Sequence, residues 1–266
     1  MAGSQMEIDV DELIQLAKHA CCHQPKRYVQ QISYKSHLFW VKQRPYSKQT
    51  FWHYGQNYLA RACRLPMFAT TASTGGALSL QFEAKRLAEF AHHRLNVPKV
   101  WVVTDAFIIL ADVGMRFDKW LRLQSKINVV QWLHQAMQAL CDIHDHNLCH
   151  GRPALRDMTV LNNTIFWLDL EENPLKHMNL AQAQARDIWL FMASAAAWLD
   201  DSELIKLADI WRHNAAEATL FAMKAWVKTI KPLRLITQWL PKMYLGRDVL
   251  NARIANKALE HLLLND

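Results

Sequence analysis

The densest run of chemistry-bearing side chains lies in residues 149–173, CHGRPALRDMTVLNNTIFWLDLEEN. His150-Gly151 follows a helical stretch, Asp157 comes seven residues after His150, and Asp169 closes an apolar run, IFWLD. Two aspartates, one in a loop and one at a strand end, offer the hard oxygen ligands that Mg²⁺ takes. The same acids could equally cap turns, and spacing alone leaves both readings open. Upstream, Lys42 sits in an apolar and aromatic run, HLFWVKQ, and Glu83 in a helical one, FEAKRL. Taken singly, Lys42 reads as an edge-strand lysine whose ammonium reaches solvent. Glu83 reads as an exposed helix residue and His150 as a buried structural histidine.

Other clusters are weaker. His92-His93 and His144, His146 and His150 could suggest zinc, but no Cys or carboxylate spacing completes a tetrahedral set. Ser73 and Thr74 beside Gly75-Gly76 read as a flexible loop more readily than as a phosphate-binding turn. The five cysteines show no CxxC spacing, and an odd count without a framework suits a reducing cytoplasm.

The elements that must position these residues can be read from periodicity. A short amphipathic helix is expected over 6–20. Strands follow over 27–34 and 37–43, with Lys35-Ser36 as their turn. A helical stretch is expected over 52–64, a loop over 70–76 and a helix over 78–95, ended by Asn96-Val97-Pro98. Strands over 99–104 and 106–110 come next. A turn between Gly114 and Asp118 leads to a short helix over 117–123, and a long helix runs over 128–147. Two short strands near 159–161 and 164–168 are joined by Asn162-Asn163, a good hairpin pair. From about 180 onward everything reads as helix. This is an α+β order with most strands in the first 110 residues. A hinge near 111–116 would divide a mixed unit, residues 1–112, from a helical one, residues 113–266.

Composition bounds the function classes. Of the 266 residues, 51% are hydrophobic and 21% charged, with 7 Gly and 8 Pro, which excludes disordered and collagen-like chains. The acidic start (Glu7, Asp9, Asp11, Glu12) is not a signal peptide, and nowhere do about 18 apolar residues run without charge. A cytoplasmic protein, peripheral on a membrane at most, is expected. The net charge of +7 asks for an anionic partner. Residues 205–257 hold ten Lys/Arg against Asp209, Glu217 and Asp248, an excess equal to the net charge of the whole chain. Trp211, Trp226 and Trp239 are interleaved with these bases. Such helices can lie on an anionic membrane or bind nucleic acid, or their Trp can be core and their Lys a solvated face. No nucleic-acid motif accompanies them, which makes nucleic acid the weaker reading.

Together these residues resemble the protein-kinase-like fold, and most the bacterial branch of lipopolysaccharide core (heptose and Kdo) kinases, over roughly residues 28–187. Lys42 in FWVKQ resembles the strand lysine that holds nucleotide phosphates, and Glu83 the helix glutamate that orients it. VPKVWVVTDAFIILADVG resembles the two strands leading to the hinge, so backbone near Leu110–Val113, Asp112 included, would meet adenine. His150-Gly151 resembles the start of an HGD catalytic loop. Asp157 then falls on the position of a second Mg²⁺ ligand, and Asp169-Leu170-Glu171 on DFG with Asp169 as the main one. Arg186-Asp187 resembles the helix start whose aspartate supports the catalytic loop, beside a structural His150.

The resemblance implies a two-lobed fold with ATP and Mg²⁺ as cofactors. It also implies phosphoryl transfer to a lipid-linked sugar or other small hydroxyl acceptor at the cytoplasmic face of the membrane. Three departures stand against it. Arg152 occupies the place of the catalytic aspartate and cannot serve as a base, because it stays protonated. Residues 24–41 contain no Gly, so no glycine-rich loop covers the phosphates. Only 18 residues separate Asp169 from Asp187, with no APE motif, which leaves little room for docking a peptide. Asp157, Glu171 or Glu172 could replace the base, and Arg152 or Arg156 could hold a substrate phosphate. The alternative is a pseudokinase that keeps nucleotide binding as a scaffold or regulator.

Overall fold

A computed structural model describes residues 8–44, Met67, 75–237 and 246–264. The expected helix over 52–64, most of the 70–76 loop with Ser73 and Thr74, and Trp239 lie outside the described residues.

The first helix, α1 (Val10–His23), starts where Asp9 accepts hydrogen bonds from the N–H groups of Asp11 (3.0 Å) and Glu12 (3.2 Å). β1 (Val29–Tyr34) and β2 (His37–Gln43) form an antiparallel hairpin. Its turn residues Lys35 and Ser36 both take positive φ, 45° and 66°, the hand that matches strand twist. β3 (Val100–Val103) and β4 (Phe107–Ala111) complete an antiparallel sheet in the order β1-β2-β4-β3. β2 is therefore an interior strand. The edge-strand reading of Lys42 fails for that reason, because its neighbours β1 and β4 close both flanks.

Side-chain alternation then sorts the sheet into two faces. Phe39, Val41, Phe107 and Ile109 pack with Leu13 and Ala17 of α1 in a small core of their own. Trp40, Lys42, Ile108 and Leu110 take the opposite face. There, helix α2 (Ala77–His92) brings Leu80, Leu87 and Phe90 into the main core.

After β4 the chain turns into β5 (Met115–Arg116), which pairs with β6 (Met158–Leu161); β6 pairs with β7 (Thr164–Trp167), giving a second antiparallel sheet. The turn needs glycine at 114: φ is +89°, and a Cβ there would lie 2.2 Å from the Val160 carbonyl oxygen. Asn162 and Asn163 close the β6–β7 hairpin with φ of 50° and 58°. α3 (Phe117–Leu121) and α4 (Lys126–Asp145) precede this sheet.

Beyond it run α5 (Leu180–Ala195), α6 (Asp201–Asn214), α7 (Glu217–Thr237) and α8 (Arg247–Leu264). A capping box between Asn179 and Gln182 starts α5. The main core is continuous from Leu87 of α2 through Leu133 of α4 to Leu259 of α8. Trp211 and Trp226 belong to that core, 1% and 4% exposed, so neither projects from the basic stretch. The architecture is mixed α+β with small antiparallel sheets. Among the described residues no helix is long and apolar enough to cross a membrane.

Candidate functional site

Lys42 points from the interior of the sheet into a buried acidic cluster. Its Nζ lies 2.7 Å from Glu83 Oε1, 2.7 Å from Asp169 Oδ1 and 3.7 Å from Glu171 Oε2. Lys42 and Glu83 are both buried, so Glu83 is not the exposed helix residue that its sequence context permits. Burial works against the Lys42 charge. Glu83, then Asp169, outweigh it and hold the ammonium well above its ordinary range. α2 supplies Glu83 from the face that also buries Leu80 and Leu87.

Asp169 reaches Lys42 from just beyond β7, with φ of 61°. Aspartate visits this left-handed region more readily than most residues, and such conformations concentrate at functional sites. Its second oxygen, Oδ2, lies 3.3 Å from Arg152 Nη2. Arg152 Nε is also 3.4 Å from Glu172 Oε1 and 3.8 Å from Asp157 Oδ2. Burial opposes the Arg152 charge, but Glu172, then Asp157 and Asp169, offset it and raise the guanidinium pKa further. Asp157 is pushed up to about 6, first by burial and then by neighbouring Asp169, with Arg152 and Arg156 pulling the other way.

The loop carrying Arg152 is held from behind. Asp187, fully buried, accepts hydrogen bonds from the backbone N–H groups of His150 (2.6 Å) and Gly151 (2.9 Å). Arg186 donates to the Gly151 carbonyl and approaches Glu172 at 3.7 Å. His150 accepts from the Arg152 N–H at Nδ1 (3.3 Å) and stacks edge-on against Trp167. Burial lowers its pKa to about 4, which keeps the ring neutral.

Lys42, Glu83, Asp157 and Asp169 border a cleft of about 420 Å³, within the usual range of small-molecule sites, roughly 300–1,000 Å³; Arg152 is not in its lining and touches it through Asp157 and Asp169. Val29, Trp40, Leu87, Leu110, Val113 and Leu168 give it apolar walls; Lys42, Glu83, Asp157 and Asp169 give it charge; Arg116 and Arg156 reach it from more exposed positions. Of the expected hinge, Leu110, Ala111 and Val113 line the cleft. Asp112 does not: its carboxylate accepts from Trp40 Nε1 (2.6 Å) and from the Gly114 N–H (3.2 Å), and its own N–H donates to the Leu38 carbonyl. It braces the turn rather than facing the cavity.

Two participants escape sequence reasoning. Tyr28 lines the cleft, donates its hydroxyl to Glu171 Oε2 (3.1 Å) and places its ring 5.5 Å from Lys42 Nζ. Its sequence signal is only its place at the start of the strand expected over 27–34; the structure sets it across the hairpin, where its carbonyl accepts from the Gln43 N–H. Arg86 lies three residues beyond Glu83 and is nearly buried, its guanidinium 5.9 Å and 5.2 Å from the rings of Phe82 and Phe90. It donates to the Cys149 carbonyl and to the Glu172 carbonyl (3.5 Å). It thus ties the Glu83 helix to both acidic loops. An arginine one turn after Glu83, among apolar neighbours, was the available signal.

Asp157 and Asp169 have the right chemistry for Mg²⁺, which takes one or two carboxylates plus substrate phosphates. Arg152 contacts both of them, however, and the residues do not fit a divalent ion while the guanidinium stands there. Among the described residues no group of three or more His, Cys, Asp or Glu is placed to hold a metal. Of the histidines, His93 stacks on His146 at 4.9 Å.

No protein-family model matches this chain. A curated relative from Haemophilus influenzae, described only as an uncharacterized protein, is 32% identical over 127 residues. The matched stretch is 47% of this chain and 52% of that protein, so the chain spans about half the length of the relative it matches.

Proposed function

We propose that this protein is an atypical ATP-dependent phosphotransferase of the protein-kinase-like type, acting on a small or lipid-linked hydroxyl acceptor. The observation that carries this reading is one buried ammonium, Lys42, held 2.7 Å from both Glu83 and Asp169 in an apolar-walled cleft. A strand lysine paired with a helix glutamate is the arrangement that positions nucleotide phosphates in kinases, and Lys42–Glu83 matches it.

In the reaction, the acceptor oxygen forms a bond to the γ-phosphorus and the bond from that phosphorus to the β–γ bridging oxygen breaks. The hydroxyl proton must leave. Arg152 cannot take it. Asp157 lines the cleft and its Oδ2 makes no hydrogen bond, so this reading gives the proton to Asp157. Lys42 and Arg152 supply positive charge near the phosphates, and positioning together with charge neutralisation carries most of such transfers. A short segment between Asp169 and Asp187 and the basic 205–257 stretch favour a small or lipid-linked acceptor at an anionic membrane surface over a peptide.

A second reading has its own observation. Arg152 follows His150-Gly151 at the position that, by the resemblance, would hold the catalytic aspartate, which favours a pseudokinase that binds nucleotide without turnover. The test is thermal unfolding with and without ATP, for the wild type, Lys42→Met and Asp169→Ala, followed by ADP release. Binding to the native state raises the midpoint by mass action. A rise lost in both variants, with ADP formed only by the wild type, is expected. A rise without turnover selects the pseudokinase; no rise removes both readings.

A further inference from the structure

The two carboxylates that would hold a metal already face cationic side chains. Asp169 gives Oδ1 to Lys42 at 2.7 Å and faces Arg152 with Oδ2 at 3.3 Å. Asp157 has Arg152 3.8 Å from Oδ2 and Arg156 3.8 Å from Oδ1. Each carboxylate oxygen of the pair therefore has a cationic side chain within 3.8 Å. A divalent ion entering there would have to displace the guanidinium.

Arg152 is also well anchored. Its backbone N–H is held by His150, its loop by Asp187, and its Nε faces Glu172. A guanidinium carries five N–H donors in a planar fork that suits phosphate oxygens. Nε is buried between Glu172 and Asp157, so the 35% of the side chain that is exposed lies elsewhere, and that part of the fork is what can meet a ligand. A metal in such a site links carboxylates to phosphate oxygens; this side chain can make the same link.

We propose that Arg152 takes the place of the divalent metal, bridging Asp157 and Asp169 to the nucleotide phosphates, so that nucleotide binds without a divalent cation. This rests on the nucleotide-site reading above and specifies how that site neutralises charge.

The test is calorimetric titration of the full chain with ATP, once in excess EDTA and once in excess MgCl₂. For the wild type the two affinities are expected to agree within about threefold. Arg152→Gln should lose at least about tenfold in EDTA, which is about 1.4 kcal/mol, and regain affinity with Mg²⁺, because its two carboxylates are then open to the ion. Arg152→Lys keeps the charge without the fork and should bind in EDTA with an affinity between those of wild type and Arg152→Gln; unchanged thermal midpoints of both variants without ATP show that each is folded. Wild-type binding only with Mg²⁺ overturns the inference and leaves the nucleotide site standing. Equal EDTA affinities for wild type and Arg152→Gln overturn it as well. No ATP binding under either condition removes the nucleotide site itself and the inference with it.

Discussion

The cleft and the C-terminal helices both carry many charges, and they handle them in opposite ways. In the cleft, Lys42 and Glu83 are buried and share one network with Asp169, Glu171 and Arg152. On α6 and α8 the charges pair at the surface: Lys206 with Glu203, Arg212 with Asp209, Lys257 with Asp201. Beneath them Trp211 and Trp226 fill the core. Density of charge in sequence therefore says little about where a protein invests desolvation. Burial of a charge costs several kcal/mol unless it is paired, so a buried network marks a place with a task, while surface pairs cost and contribute little.

The largest test of that contrast is Lys42→Met. It leaves Glu83 and Asp169 without their shared ammonium and should cost about 3–5 kcal/mol in a urea titration while abolishing ATP protection. A cost below about 1 kcal/mol would mean the cluster is not a coupled unit. Trp211→Ala should also cost about 3–5 kcal/mol, through cavity formation alone. Its binding to anionic vesicles, set against the wild type, should be unchanged, because the ring lies inside.

The next effect is a pH dependence. His150 titrates near 4 in the folded protein against 6.5 in a model peptide. As pH falls through that window the unfolded chain takes up the proton that the folded protein refuses, so this contribution to stability is lost. Asp157 runs the other way: it takes a proton near pH 6 when folded and near 3.8 when unfolded, so its contribution grows as pH falls. Each is worth about 3 kcal/mol, and they oppose each other. Asp157→Asn removes the compensation, and its stability should fall more steeply than the wild type's between pH 6 and 4, read from denaturation midpoints. The smallest effects belong to the surface pairs. Lys206→Ala and Lys257→Ala should each change stability by less than about 1 kcal/mol, and less still at high salt.

Much of the fold was legible in the sequence. The β1–β2 and β6–β7 hairpins follow from alternation and from Lys35-Ser36 and Asn162-Asn163; α2 and α4 follow from their apolar stripes, within two or three residues at each end. These are local facts, set by side-chain period and turn chemistry. The helical content beyond 180 was readable, but the breaks at 196–200 and 215–216 were not; capping at Asp200 and a short extended link decide those ends. The backbone course of residues 110–113 was readable, but the direction of the Asp112 side chain, towards Trp40 and Gly114, was not.

What the sequence determined by itself is the set and order of the groups: Lys42, Glu83 and Asp187 on elements whose period names them, and His150, Arg152, Asp157 and Asp169 in the loops between them. What only the tertiary structure decided is their state. Whether Lys42 lies on an edge or inside a sheet depends on the pairing of β2 with β4, some 65 residues apart. Whether Arg152 faces solvent or three carboxylates depends on Asp187 and Arg186 pinning its loop. Burial and charge pairing are properties of neighbours brought together from distant parts of the chain, and no local spacing encodes them.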